Sequence, residues 1–227
     1  MAYIFALEII GTVAFAVAGA LTAIRKDMDL LGVCILGVLS ACGGGVIRDC
    51  LLGSTPPAMF LNPIYAIVAT LSSIAAFISV AARSKITETL AFDRALIVTD
   101  AVGLGVFTAV GVNTVIEAGY GDAWIFAVTL GVLTGVGGGA LRDVFAGETP
   151  FIFVRHIYAS AAIAGAILFL ATRDLLGVRT ALLGSSAFTA AFRLLAAHMK
   201  WNLPKATPRL AKEKSKQKAE QEGSSEK

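Results

Sequence analysis

The sequence predicts an all-α membrane protein: seven transmembrane helices, laid out as an inverted 3+3 repeat plus a seventh helix, with helices 2 and 5 broken at Gly triplets. Three observations carry this reading. Of 227 residues, 56 % are hydrophobic and 15 % charged, whereas soluble domains run near 45–50 % apolar and about 25 % charged. Several apolar runs approach the ~20 residues that cross a ~30 Å hydrocarbon core. A Gly-Gly-Gly-x-x-Arg-Asp motif also occurs twice, at 43–49 and 137–143.

The spans are read at 3–24, 31–53, 62–82, 95–115, 123–146, 152–171 and 175–197. Each rests on apolar length with few charges. The first run lacks a basic leader, and Arg25 and Lys26 follow it. That order fits a spanning helix better than a cleaved signal. In the second run Cys34, Cys42 and Cys50 recur every eight residues. That is about 12 Å of helical rise, too far for a disulfide, and no metal-binding spacing accompanies them. Ser54-Thr55-Pro56-Pro57 and Thr149-Pro150 end spans two and five, and Gly119-Tyr120-Gly121 separates spans four and five. From Met199 the chain turns polar, and a basic tail at 205–227, with no apolar periodicity, is expected to be disordered. Next to a membrane helix such a tail reads as a cytoplasmic end near anionic lipid, not as a nucleic-acid site.

The duplication is internal and long. Residues 36–49 match 130–143 at a shift of 94, and the match continues through Gly53/Gly147, Thr55/Thr149 and Pro56/Pro150. After one deletion Ile64-Tyr65-Ala66 matches Ile157-Tyr158-Ala159. Upstream, at a shift of 92, Glu8 pairs with Asp100, Phe15 with Phe107 and Gly19 with Gly111. The units are therefore 1–82 and 93–171, followed by a seventh helix at 175–197. Three spans per copy send the second copy into the membrane from the opposite side, so the copies are inverted about an axis in the membrane plane. Lys and Arg counts orient the whole. Arg25, Lys26, Arg83, Lys85, Arg94, Arg155 and the tail fall on one side; Arg173 and Arg179 fall on the other. The positive-inside rule places the C-terminus in the cytoplasm and the N-terminus outside.

Candidate functional residues follow from cost. Gly43, Gly44 and Gly45, and again Gly137, Gly138 and Gly139, each cost a helix about 1 kcal/mol relative to alanine. Two readings exist: tight packing through small residues, or interrupted helices whose freed backbone lines a pathway. The paired, symmetric occurrence favours the second. Arg48-Asp49 and Arg142-Asp143 are ionisable groups at depth, which usually face the interior or water. They either take part in ion passage or lock the halves together, for instance crossed, with Arg48 on Asp143 and Arg142 on Asp49. Glu8 and Asp100 are equivalent carboxylates suited to attracting a cation, Asp100 lying deeper. Ser40 and Thr134 offer hydroxyls that more often bond back to the preceding turn. Arg193, one turn from its helix end, is explained by snorkelling. His156 and His198 are isolated. No nucleophile–base pair or phosphate-binding loop is present in the sequence, so no enzyme and no cofactor is expected.

These residues carry a resemblance. The doubled motif, the opening EIIGTVAFAVAGALTAIRKDMDLLG and Trp201-Asn202-Leu203-Pro204 resemble the prokaryotic members of the trimeric intracellular cation (TRIC) channel family, whose repeat is also described as glycine-transporter-like. The likeness covers about residues 3–204. It implies an inner-membrane homotrimer with one hourglass pore per subunit, passing K⁺ and also Na⁺ between the repeats. No fixed metal is implied, only permeant ions passing Gly44 and Gly138. Animal members carry basic lipid-binding residues near the kinks where this chain has Arg48 and Arg142, so inositol-lipid regulation does not carry over. The rival readings are a secondary transporter of a small solute such as glycine, and a structural or lipid-organising membrane protein with no pathway.

Overall fold

A computed structural model describes residues 2–82, 89–154 and 157–201. The tail at 205–227, Arg83, Lys85, Arg155 and His156 lie outside the described residues. The chain forms α1 (Ala2–Arg25), α2 (Leu30–Leu51), the short α3 (Ala58–Leu61), α4 (Ile64–Ala81), α5 (Leu90–Val115), α6 (Trp124–Phe145), the short α7 (Phe151–Val154), α8 (Ala159–Leu176) and α9 (Val178–His198). Among the described residues seven of these helices are long and apolar enough to cross a membrane.

Local chemistry sets the helix ends. Asp29 caps α2 by accepting from the Gly32 amide at 2.7 Å, and Thr89 caps α5 by accepting from the Phe92 amide at 3.3 Å. Gly53 and Gly147 follow α2 and α6 with φ of 73° and 69°, the left-handed geometry that glycine adopts without a Cβ clash. Ser54 and Glu148 then bond back to the carbonyls of Asp49 and Asp143 at 2.9 and 2.8 Å. Past Val115 the chain makes a wide turn over Ile116–Tyr120, where Gly119 takes φ 94°. The sixth span begins later than 152 because Phe151–Val154 is a separate short helix. The apolar quartet Phe-Ile-Phe-Val extends the hydropathy signal without extending the helix.

Helix contacts repeat between the halves. α1 packs on α2 and α4, and α2 on α4; equivalently α5 packs on α6 and α8, and α6 on α8. The halves meet through α1 on α5 and α2 on α6. The ninth helix lies against α5 and α8 of the second half. Only Ala69 and Ser73 of α4 are buried within the chain, so its apolar surface faces outward. At one end Arg25 pairs with Asp93 and Lys26 with Glu148 at 2.9 Å. As half-exposed surface pairs they contribute about 0–1 kcal/mol each.

Candidate functional site

The expected breaks at the Gly triplets are absent. α2 runs unbroken through Gly43–Gly45, and α6 through Gly137–Gly139. The glycines instead let the two helices cross in backbone contact. A Cβ on Gly44 would overlap the Thr134 carbonyl oxygen, and one on Gly138 would overlap the Ser40 carbonyl oxygen. Ser40 and Thr134 are themselves repeat partners, so the contact is reciprocal. Gly43 faces Leu141 and Gly137 faces Ile47, another exchanged pair. Contacts that swap in this way are what a two-fold relation produces. An intact helix keeps its own hydrogen bonds, so the cost of glycine is offset by close approach and not by opening the backbone.

Beside the crossing, Phe15 and Phe107, again repeat partners, bring their rings to 5.5 Å between centroids. Gly11 faces the Phe107 ring and Gly103 the Phe15 ring, so glycines at equivalent positions make room for both aromatics.

The crossed pairing of Arg48 with Asp143 and Arg142 with Asp49 does not occur. Each arginine turns back on its own neighbour. Arg48 Nε donates to Asp49 Oδ1 at 2.9 Å, and Arg142 Nε to Asp143 Oδ1 at 2.9 Å. The second carboxylate oxygen holds the following chain: Asp49 Oδ2 accepts from the Ala58 amide and Asp143 Oδ2 from the Phe151 amide, both at 2.9 Å. Adjacent Cβ vectors diverge on a helix, but the long arginine stem spans the gap. The motif thus joins the end of each long helix to the short helix beyond it, within one half.

Two four-residue clusters result. In the second half Asp100 Oδ1 accepts from Arg142 Nη1 at 2.7 Å and from the Tyr158 hydroxyl at 3.3 Å. Arg142, Tyr158 and Asp100 are 0 %, 1 % and 2 % exposed. In the first half the Tyr65 hydroxyl donates to Glu8 Oε2 at 2.6 Å, while Arg48 reaches Asp49. Here Glu8, Thr12, Gly45, Arg48, Tyr65 and Phe107 line an open vestibule of ≈ 80 Å³ that reaches inward to Thr134. The third glycine of each triplet registers the difference. A Cβ on Gly45 would meet only Arg48 Nη2, at 3.8 Å, whereas one on Gly139 would meet the Tyr158 hydroxyl at 2.8 Å.

The structure therefore brings Glu8, Gly45, Arg48, Asp49 and Thr134 to one chamber, and Asp100, Gly139, Arg142 and Asp143 to its filled counterpart, with the remaining glycines at the crossing between them. Thr134 bonds back to the Leu130 carbonyl at 2.6 Å. Ser40, fully buried, leaves its hydroxyl without a partner among the described residues. Tyr65 and Tyr158 also belong to the site, and their matched place in the repeat is the sequence signal that marks them. Arg193 does not snorkel: it is 5 % exposed, and its guanidinium lies over the Tyr158 ring, 5.3 Å from the centroid.

Comparison with known proteins agrees with the duplication. A family model described as a glycine transporter matches residues 5–81 and again 97–174. The UPF0126 inner membrane protein YadS of Escherichia coli is 41 % identical over 165 residues, 73 % of this chain and 76 % of its own. A TRIC cation channel solved to explain conductance is 37 % identical with a TM-score of 0.77, covering 89 % of this chain and 97 % of that one. The TRIC trimeric intracellular cation channel orthologue from Rhodobacter sphaeroides is 33 % identical with a TM-score of 0.80, covering 88 % and 100 %. The chain belongs to the UPF0126 membrane-protein family.

Proposed function

We propose that this UPF0126 protein is a channel for monovalent cations, K⁺ and also Na⁺, with an hourglass pathway through each subunit of a homotrimer in the inner membrane. The carrying observation is the vestibule: a recess of mixed apolar and polar lining inside the bundle that reaches the crossing of the two halves and holds the Glu8 carboxylate at its side. Glu8, Asp49 and Arg48 sum to a formal charge of −1, which concentrates cations in a narrow recess with low-dielectric walls. Thr12 and Thr134 offer oxygens that replace part of an ion's hydration shell. Beyond them the Phe15–Phe107 rings and the Gly44–Gly138 contact close the path, and the Asp100–Arg142–Tyr158 cluster fills the far chamber. Conduction requires α2 and α6 to part at the glycines and the far cluster to loosen; this arrangement is a closed one. The basic loops and tail support a cytoplasmic C-terminus. Membranes, a second and third copy of the chain and the permeant ions are its partners. Resemblance to channels described as trimeric supports the assembly.

The one-sided opening also favours a second reading, alternating access by a transporter of a small solute such as glycine. Purified protein in a planar bilayer under a KCl gradient separates the two. Unitary currents reversing near the K⁺ potential are expected. A reversal at the Cl⁻ potential, or saturable glycine uptake into proteoliposomes with no unitary current, overturns the channel reading.

A further inference from the structure

We infer that Arg193, on the helix that lies outside the repeat, sets the direction in which cation current flows more easily. The inference rests on the channel reading. The two ends of the path share a design but not a charge. At the vestibule Glu8 and Asp49 face a single arginine, Arg48, for a formal sum of −1. At the filled end Asp100 and Asp143 face Arg142, and α9 adds Arg193, for a formal sum of zero. Arg193 reaches this cluster through Tyr158. Its guanidinium covers the ring at 5.3 Å, and the hydroxyl of the same tyrosine donates to Asp100 at 3.3 Å.

Nothing diverts that charge elsewhere. Among the described residues Arg193 has no carboxylate partner, and its Nε is buried without a hydrogen-bond partner. A cation over an aromatic face is held by the ring quadrupole, and burial keeps its field poorly screened. Among the described residues the first half has no counterpart. Tyr65 meets the neutral ring of Phe5 at 6.3 Å, and among the described residues α1 and α4 carry no helix in the place where α9 covers α5 and α8. Duplication alone would give these two clusters the same formal charge, −1 each. The added helix removes one unit of that negative charge from one end.

An unbalanced charge at one mouth enriches cations there, and current is larger when ions are drawn from the enriched side. One unit charge ~10 Å from the ion path changes local cation concentration about twofold through water. The effect is largest at low salt.

The test records single channels in low, symmetric KCl and takes the ratio of currents at equal and opposite voltages. The wild type should rectify about twofold. Arg193→Met should bring the ratio toward one, and Arg193→Lys should keep the wild-type ratio. Phe5→Lys, which adds a cation beside Tyr65 without touching α9, should also bring it toward one and covers the case in which Arg193→Met fails to fold. A conducting wild type with a linear relation, a wild-type ratio in Arg193→Met or Phe5→Lys, or the same loss in Arg193→Lys as in Arg193→Met would overturn the inference while leaving the channel reading intact. Absence of any K⁺ current in the wild type would overturn the channel reading, and this inference with it.

Discussion

The two halves use the same four positions to build opposite chambers. Glu8, Arg48, Asp49 and Tyr65 surround open space; Asp100, Arg142, Asp143 and Tyr158 fill theirs. A one-carbon difference contributes. Asp100, shorter than Glu8, sits where it accepts from both Arg142 and Tyr158, so arginine, tyrosine and carboxylate condense. Glu8 takes the tyrosine alone, and Arg48 stays with Asp49. The lesson is that a repeat conserves its scaffold contacts at the glycine crossing while its polar cluster is free to diverge into an entrance and a plug.

Three measurements break or sharpen that comparison. The largest expected effect is all-or-none. In a background without native cysteines, Gly45→Cys should react with a water-soluble thiol reagent and Gly139→Cys should not, because Gly45 borders the vestibule and Gly139 abuts Tyr158. Equal labelling of both would mean that the far chamber is open as well. Next, Asp100→Asn should destabilise the detergent-solubilised protein by about 3 kcal/mol, since Arg142 loses a buried partner. Glu8→Gln keeps an acceptor for Tyr65 and should cost under about 1 kcal/mol. Thermal unfolding reads both, and equal losses would contradict the split between plug and entrance. The smallest contrast lies at the crossing. Gly44→Ala and Gly138→Ala should each cost about 1–3 kcal/mol, because each forces a backbone carbonyl away. Their costs should match within a few tenths if the crossing is reciprocal, whereas Gly45→Ala, with only a flexible arginine tip nearby, should be close to neutral.

Much of this molecule was legible from residue order. Apolar length identified the spans, and the repeat announced itself through glycine, arginine and aspartate at fixed shifts. The pairing of Glu8 with Asp100 by register pointed to both chambers. What misled was local cost taken alone. Three glycines in a row suggest a broken helix when the helix is considered by itself; a second helix pressed against them changes the balance. The Arg–Asp pairs likewise suggest bridges between halves when helical divergence alone is considered, but an arginine stem is long enough to reach its own neighbour. The apolar stretch Phe151–Val154 read as membrane span because a hydropathy window does not register a carboxylate taking the Phe151 amide. Arg193 read as a snorkelling end residue because its partner, the Tyr158 ring, lies on another helix.

By itself the sequence determined the membrane class, the duplication, the odd helix count that makes the second copy inverted, and which residues recur in both halves. These depend on composition and spacing, which act along the chain. Only the tertiary structure decided that the glycines join helices, that each arginine serves its own aspartate, and that one chamber is open while its twin is filled. Those outcomes turn on ångström-scale distances between side chains from different helices, and linear spacing carries no information about them.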